Sequence, residues 1–291
     1  MADSAIVADL HIHTPASDGT DSLARRVEQA RNRSLETIAI TDHDTITDDL
    51  TNRVERRSDL EVVTGVEVRA DCFDTKVEIL GYYVDPNDEA LGEALTTARR
   101  YRRERNAALV DRVREATDFS TTIDELRAES DGLLGRPHLA RRMVAEGVVP
   151  SIGAAFDEYL AEDGSCYVPM RRLPAARVLR TIRGAGAVAS LAHPGRIAAS
   201  AETVEEMIEE LAAHGLDGIE VSYPYGESDD RYADVGVADA ARLAEKHDLV
   251  ETGGSDCHGS GSGKFRIGTA GLDSASFVKV EQLADGRRSL P

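Results

Sequence analysis

The sequence has few cysteines, few lysines, no tryptophan and no long apolar run, and these absences narrow the class of protein. Its three cysteines, Cys72, Cys166 and Cys257, form no CxxC pair and no even-numbered disulfide framework, which favours a reducing compartment. No apolar stretch approaches the ~18 residues of a membrane-spanning helix. Charges at Asp3 and Asp9 argue against a signal peptide. We therefore expect a cytoplasmic protein that does not associate with membranes.

Acidic residues outnumber basic ones, and lysine is scarce. The 291 residues include 53 Asp and Glu against 34 Lys and Arg, a formal net charge of -19, and nearly all of the positive charge is arginine. Such a composition predicts a halophilic protein, and an ordinary acidic cytosolic protein is the alternative. The negative charge disfavours a stable complex with nucleic acid at low salt. Strong salt would screen that repulsion, so a nucleotide or RNA substrate is not excluded.

Apolar strand-like segments alternate with helical patterns in the first and last thirds of the chain. About seven such strands predict an α/β protein with a parallel sheet or barrel. Residues 89–174 are instead rich in Arg, Glu and Ala and begin with a long charged helix over 89–116. We predict a barrel in two parts, 1–88 and 175–291, separated by a helical insertion, 89–174. Locally, we expect a polar helix over 46–58, a strand over 60–66 and a small β piece near the C-terminus.

Histidines and carboxylates recur just after the predicted strands. His11 and His13 follow the first apolar run, and alternation along a strand directs both to one face. One His-x-His alone arises often by chance, but a barrel gathers such strand ends at one mouth. A further histidine opens a helix of the insertion. The candidate ligands are His11, His13, Asp18, His43, Glu67, His138, His193, Asp256 and His258.

Imidazole and carboxylate ligands such as these suit Zn, Mn or Fe. Nine of them exceed the needs of one tetrahedral ion and suffice for two or three if a carboxylate bridges. Close divalent ions can hydrolyse phosphate esters, because a metal-held hydroxide attacks while the ions take up phosphoryl charge. The remaining histidines, His214 and His247, lie near predicted helix C-termini, where a structural role is expected. Cys257 is expected to pack on the opposite face from its ligand neighbours.

Seven short motifs in order resemble those of the PHP (polymerase and histidinol phosphatase) superfamily, most closely its stand-alone phosphoesterases. They are Asp-Leu-His-Ile-His, Ser-Asp-Gly, Thr-Asp-His-Asp, Gly-Val-Glu, Arg-Pro-His, Ala-His-Pro-Gly-Arg and Ser-Asp-Cys-His. The resemblance covers about 5–85 and 175–270 and implies a distorted (β/α)7 barrel with three metal sites. It assigns His11, His13, Glu67 and Asp256 to the first metal, Glu67, His138 and His193 to the second, and Asp18, His43 and His258 to the third.

Arginines near the motifs are candidates for binding the phosphate. Arg196 follows His193 by three residues, and its guanidinium can bind a phosphate through two hydrogen bonds. One of Arg171 and Arg172 is also expected to face the site, in a catalytic or substrate-binding role. For four more residues a role at the site and a structural role are both open: Asp42, Asp44, Lys76 and Tyr225.

Together these features predict a metal-dependent phosphoesterase in which a hydroxide bridging two metals attacks phosphorus. The substrate is expected from the resemblance alone: a nucleoside 3',5'-bisphosphate, a mononucleotide or the 5' end of a short RNA. Histidinol-phosphate phosphatase is the alternative within this class. A metal-holding interaction module without catalysis is another. A metal-dependent amidohydrolase would need a carboxylated lysine after a strand, and Lys76 lies before one.

Overall fold

The computed structural model describes residues 5–128, 134–225, 233–261 and 266–288. The chain divides into two compact units, one formed by 1–96 and 173–291 and the other by 97–172. Within the described ranges, no helix has the length and apolar character needed to cross a membrane. The domain boundaries inferred from the sequence, 89 and 174, stay predictions.

Nine strands of the described chain form one sheet in the first unit, in the order β1-β2-β4-β5-β7-β8-β9, with β3 and β6 both paired to β4. A parallel bridge between Ile12 and Cys257 connects β1 to the segment after β9. The predicted α/β class is confirmed. The strands are β1 Ala8–Ile12, β2 Thr37–Ile40, β3 Val54–Arg57, β4 Leu60–Cys72, β5 Thr75–Tyr82, β6 Leu173–Pro174, β7 Val188–Leu191, β8 Gly218–Ser222 and β9 Val250–Gly253.

The expectation of a parallel sheet is wrong at β5, which runs antiparallel to both β4 and β7. Only Phe73 and Asp74 connect β4 to β5, and their φ angles of 52° and 59° are those of a two-residue hairpin turn. So short a connection joins only antiparallel strands. β4 also continues to Cys72, so Glu67 lies inside a strand rather than after one.

The helices of the first unit cover the sheet and begin at serine caps in two cases. Ser22 Oγ accepts from the backbone N–H of Arg25, and Ser200 Oγ accepts from that of Thr203. His214 and His247 are the C-cap residues of α7 and α8, so both lie at the helix ends where they were predicted. These helices are α1 Leu23–Arg31, α6 Ala175–Gly184, α7 Ala201–Ala213, α8 Val237–Lys246 and α9 Ser274–Arg288.

One local prediction is wrong and one is incomplete. The segment predicted to be helical over 46–58 contains strand β3, which pairs antiparallel with β4. The C-terminal segment does include a small β piece, an antiparallel bridge between Leu272 and Ala8, but most of it forms helix α9, which was not predicted. Phe277, Val280 and Ala284 recur at helical spacing on α9 and pack into a buried cluster that includes Leu10 and Tyr82.

The second unit is helical, as predicted. The long helix α2 spans Glu89–Ala116, which matches the predicted range. Its C-terminal part belongs to this unit, where Leu109 and Val113 pack with Leu139 and Met143 in a separate core. The other elements are α3 Ile123–Ala128, α4 Arg136–Ala145, α5 Ile152–Ala155 and a π-helix, Phe156–Leu160.

Candidate metal centre

Eight of the nine predicted ligands lie in the first unit, where they converge around the buried Glu67. Its Oε1 lies 3.5 Å from His11 Nε2 and 3.2 Å from His193 Nε2. Its Oε2 lies 2.7 Å from His43 Nδ1 and 3.5 Å from His13 Nε2. Burial raises the pKa of Glu67, but the neighbouring His43 and His11 outweigh it and hold that pKa well below its usual value. Both carboxylate oxygens of Glu67 therefore face histidines that were predicted as metal ligands.

Asp256 lies beside His11 on β1 and His13 just after it. Its Oδ1 lies 3.5 Å from His11 Nε2 and 3.2 Å from His13 Nε2, and these three residues form a group that could hold one metal ion. Both Asp256 (φ 51°) and His193 (φ 26°) have positive φ angles. Such backbone conformations are unfavourable for residues with a Cβ and concentrate at functional sites.

A second group consists of His13, Asp18, His43 and His258. Asp18 Oδ1 lies 3.3 Å from His258 Nε2, and Asp18 Oδ2 lies 3.7 Å from His43 Nε2. The side chain of Asp18 is 34% exposed, whereas His13 is fully buried, so Asp18 marks the solvent side of the group. Burial and the adjacent His258 lower the pKa of His13 to about 3, which favours the neutral imidazole that binds metals.

Glu220 on β8 was not among the predicted site residues, yet it orients two of them. Its Oε1 lies 2.9 Å from His11 Nδ1, and its Oε2 accepts from the backbone N–H of His193 at 2.8 Å. An ionised carboxylate only accepts, so His11 carries a hydrogen on Nδ1, and its Nε2 faces Glu67 and Asp256, where a bound cation would displace any proton on that nitrogen. Burial lowers the pKa of His11, but the three carboxylates outweigh it and raise that pKa well above its usual value. The same negative field would attract a divalent cation.

Glu78 on β5 is the second missed carboxylate. It is buried and forms a possible metal group with His43 and Glu67, and its Oε2 lies 3.7 Å from His193 Nε2. Glu78 accepts hydrogen bonds from Arg69 Nε at 2.7 Å and Lys76 Nζ at 2.9 Å. A glutamate inside an otherwise apolar strand was the signal for both missed residues, because a carboxylate is rarely buried without a partner.

Buried atoms without a well-formed hydrogen bond test whether the cluster fits metal ions. His11 Nε2, His13 Nε2, His43 Nδ1 and Glu67 Oε2 are buried and make no hydrogen bond of good geometry within the described chain, although ionisable neighbours lie 2.7–3.5 Å from them. Leaving such atoms unpaired costs about 1–3 kcal/mol each, so buried polar atoms are nearly always satisfied. All four atoms face one another across the cluster. Imidazole nitrogens and carboxylate oxygens in this arrangement fit divalent ions such as Zn, Mn or Fe.

Residues behind the ligands fix the loops that carry them. Asp42 accepts hydrogen bonds from the Thr14 N–H at 2.8 Å, from Thr14 Oγ1 at 2.6 Å and from Ser17 Oγ at 2.5 Å, which fits a loop-capping role. Asp44 Oδ1 accepts from the backbone N–H of Arg69 at 3.2 Å. Cys257 is buried in an apolar cluster, as expected for a packing residue.

Arg196 lies at the edge of the cluster. Its Nη1 is 3.2 Å from Asp256 Oδ2 and donates to the Tyr223 hydroxyl at 2.8 Å, while Tyr223 donates to the same Asp256 oxygen at 2.9 Å. The Tyr225 ring packs 4.8 Å from that of Tyr223, and its hydroxyl accepts from the Gly195 N–H at 3.1 Å. The structure thus places Arg196 and both tyrosines beside a predicted ligand.

Three predicted site residues lie in the second unit. His138 is at the first turn of α4, where its Nδ1 accepts from the Gly135 N–H at 3.1 Å. The Arg171 guanidinium lies 4.4 Å from the centre of the Tyr101 ring, and Arg172 Nη1 is 3.5 Å from the Met170 carbonyl oxygen. The roles of these three residues at the metal centre stay predictions.

Comparisons with known proteins agree with this geometry. A model of the PHP domain matches residues 9–158. The 5'-3' exoribonuclease Rnm of Escherichia coli (strain K12) is 31% identical over 257 residues, 87% of this chain and 86% of that protein. The 3',5'-nucleoside bisphosphate phosphatase of Chromobacterium violaceum is 31% identical over 264 residues, 89% of this chain and 90% of that protein.

A solved structure, described as a metal-dependent phosphoesterase from Bifidobacterium adolescentis, has the same fold. It superposes with a TM-score of 0.76 at 29% identity and covers 95% of this chain and 96% of that chain. The motifs predicted this relationship from the sequence, and the family match and the superposition confirm it. The chain therefore belongs to the PHP family of metal-dependent phosphoesterases.

Proposed function

We propose that the converging ligands hold two or three divalent ions and that the enzyme hydrolyses a phosphate ester of a nucleotide there. The four buried atoms without a well-formed hydrogen bond, His11 Nε2, His13 Nε2, His43 Nδ1 and Glu67 Oε2, carry this proposal. Bound ions would activate water and stabilise the charge that develops on the phosphoryl oxygens. The residues of this chain position the ions and the phosphate.

Three groups of residues would divide the ions among them, and Glu67 could join all three because its Oε1 faces His11 and His193 and its Oε2 faces His43 and His13. His11, His13 and Asp256 form one group, and His13, Asp18, His43 and His258 form another. The third would use Glu67, His193 and Glu78, with His138 as the further ligand that the resemblance implies. Glu220 would keep His11 in the tautomer that offers Nε2.

Arg196 would bind the phosphate of the substrate. Its hydrogen bonds to Tyr223 and Asp256 hold the guanidinium at the edge of the metal cluster, and its side chain is 23% exposed. A phosphate entering from solvent could therefore reach both the guanidinium and the ions. Its planar fork matches two phosphate oxygens, so Arg196→Lys should raise KM more than it lowers kcat.

The nucleotide substrate is supported by the relatives, since one is named as an exoribonuclease and another as a nucleoside bisphosphate phosphatase. The test is phosphate or nucleotide release from adenosine 3',5'-bisphosphate, AMP, a 5'-phosphorylated RNA and histidinol phosphate, with Mn in high salt. We expect a preference for the bisphosphate or the RNA. A preference for histidinol phosphate would favour the alternative within the class.

Matched variants separate catalysis from folding. His11→Ala and Asp256→Ala should abolish release, and the exposed helix-cap variant His214→Ala should not. Release that survives complete metal removal would contradict the mechanism. Metal binding without turnover of any phosphate ester would indicate the interaction module, and amide hydrolysis without phosphate release would indicate the amidohydrolase.

A further inference from the structure

Arg69 on β4 is a cation in direct contact with the cluster of predicted ligands. Its Nη2 lies 3.2 Å from His43 Nε2, and its Nε donates to Glu78 Oε1 at 2.7 Å. Arg69 and Glu78 are paired residues of the antiparallel strands β4 and β5, and the Arg69 side chain is 19% exposed. The strand pairing and the bond to Glu78 therefore hold the guanidinium against the histidine.

The contact between Arg69 and His43 has one direction. A guanidinium stays charged and only donates, so His43 Nε2 is the acceptor. A neutral imidazole has one lone pair in the plane of its ring, and with Nε2 accepting, Nδ1 carries the hydrogen. That Nδ1 faces Glu67 Oε2 at 2.7 Å. Arg69 therefore takes up the lone pair that His43 would otherwise offer to an ion through Nε2.

His43 Nε2 belongs to one of the candidate metal groups. It lies 3.7 Å from Asp18 Oδ2, and His43 and Asp18 form a group with His13 and His258. An ion bound between His43 and Asp18 needs the Nε2 lone pair. The ion and the hydrogen of Arg69 exclude each other at this nitrogen, and two positive charges at such short range also repel.

Arg196 is the contrasting case at the same cluster. Its Nη1 lies 3.2 Å from Asp256 Oδ2, whereas the oxygen beside His11 and His13 is Oδ1. A carboxylate has two oxygens and about four lone pairs, so Asp256 can pair with Arg196 and still bind an ion. An imidazole nitrogen has one lone pair and cannot do both. Of these two arginines, Arg69 is the one that competes with an ion for a ligand atom.

We propose that Arg69 competes with a divalent ion for His43 Nε2, so that the group of His13, Asp18, His43 and His258 takes up its ion last and releases it first. This inference rests on the proposed function, in which that group holds one of the ions. Asp18 is 34% exposed, so the ion can enter from solvent. The ion then replaces the Nη2 contact, while the bond to Glu78 persists because it uses Nε.

Arg69→Met is the decisive variant, because methionine keeps an extended side chain and has no donor. We expect the affinity for one Mn ion to rise about 10- to 100-fold, which is the contribution of a hydrogen bond from a charged group. The other affinities should change less than about fivefold. Calorimetric titration of the metal-free protein with Mn measures the affinities, and elemental analysis after dialysis gives the ions retained per chain. Adding Asp18→Asn should remove the gained ion, since Asp18 belongs to that group alone among the described candidate groups.

Lys76→Met is the matched control. Lys76 donates to Glu78 Oε2 at 2.9 Å, so this variant removes a positive charge from the same carboxylate and leaves the contact between Arg69 and His43 in place. Every affinity should stay within about fivefold of the wild type. Thermal melts check that the variants are folded. If Arg69→Met does not fold, Arg69→Gln replaces it, and its neutral amide should tighten the same ion by a smaller factor.

Three results would overturn the inference. A weaker ion in Arg69→Met would mean that Arg69 supports His43 as a ligand, and equal gains for every ion would mean that the charge of Arg69 acts without the lone pair. The third is a titration identical to that of the wild type, which leaves the proposed function standing if the wild type binds its ions and hydrolyses a nucleotide. A wild-type protein that binds no divalent ion would overturn the proposed function itself.

Discussion

Arg26 donates hydrogen bonds from both Nε (3.0 Å) and Nη2 (2.7 Å) to the carbonyl oxygen of His13. The same Nη2 donates to the carbonyl oxygen of Cys257 at 3.1 Å. Cys257 lies between the predicted ligands Asp256 and His258, and Arg26 is fully buried. One guanidinium therefore ties the end of β1 to the loop after β9, and both segments carry ligands.

Arg26→Lys should consequently weaken metal binding in the folded protein. Lysine offers a point charge rather than a planar fork and cannot reach both carbonyl groups in the same geometry. We expect the free energy of unfolding to fall by about 2–4 kcal/mol and metal affinity to fall about 10- to 100-fold. Chemical denaturation and metal titration of the folded variant measure the two effects separately.

Arg31→Lys is the matched control on the same helix. Arg31 is 49% exposed and pairs with Asp59 at 2.8 Å, so its replacement should change stability by less than about 1 kcal/mol. If the folded Arg26→Lys variant binds metal as tightly as the wild type, the prediction is wrong. The segments around His13 and Cys257 would then keep their positions without the guanidinium.

Glu78 and His138 are both candidate ligands of the ion proposed beside Glu67 and His193. Glu78 lies in the cluster next to His193 and Glu67, and His138 is assigned by resemblance. Glu78→Gln should lower the affinity for one ion about 10- to 100-fold, and the exposed strand residue Glu251 provides the control Glu251→Gln. Elemental analysis after dialysis gives the ions retained per chain. Full metal content in Glu78→Gln, together with a loss in His138→Ala, would assign that ion to His138 instead.

The predicted ligands that lie in the cluster are those set by local pattern. His11 and His13 follow from strand alternation, and His193 and Asp256 follow from their positions after strands. Glu78 and Glu220 lie within strands instead, where a lone glutamate in an apolar stretch signals a buried partner but does not say which site it faces. What makes them part of the site is pairing with strands far away in sequence, such as β5 with β7.

One error in the fold has the same origin. Strand β3 is polar (Val-Glu-Arg-Arg) and half exposed, so its strand character comes from pairing with β4 rather than from its own residues. Helix α9 differs, because its signal is local: the apolar residues Phe277, Val280 and Ala284 recur at helical spacing. The reversed direction of β5 depended on two residues, Phe73 and Asp74, that lack the Asn-Gly signature of such turns.

Glu146 gives the second unit a pH-dependent contribution to stability. It accepts hydrogen bonds from the Ser120 N–H at 2.8 Å, from Ser120 Oγ at 2.9 Å and from Thr121 Oγ1, and it pairs with Arg142 Nε at 3.1 Å. Burial raises the pKa of Glu146, but these bonds outweigh it and lower the pKa from 4.5 to about 2. The stabilisation is therefore complete above pH 4.5 and is lost as the pH falls towards 2.

Glu146→Gln should lower the free energy of unfolding by about 1–2 kcal/mol at neutral pH. The difference from the wild type should shrink steadily below pH 4.5. Thermal melts of both proteins from neutral to acidic pH measure it, and Glu162→Gln, at an exposed position, serves as the control. A difference that is constant across this range would mean that the carboxylate charge of Glu146 is not what stabilises the unit.

The net charge of -19 predicts that salt stabilises this protein. Like charges repel across a compact surface, and raising salt from 0.1 to 1 M shortens the screening length from about 10 Å to about 3 Å. We propose a halophilic adaptation in which the melting temperature and activity both rise into molar KCl.

Glu202, Glu206 and Glu209 are exposed on α7, and changing all three to Gln would reduce the charge from -19 to -16. The triple variant should melt higher than the wild type at low salt and depend less steeply on KCl. A wild-type melting temperature that stops rising below about 0.2 M KCl would identify an ordinary acidic protein instead.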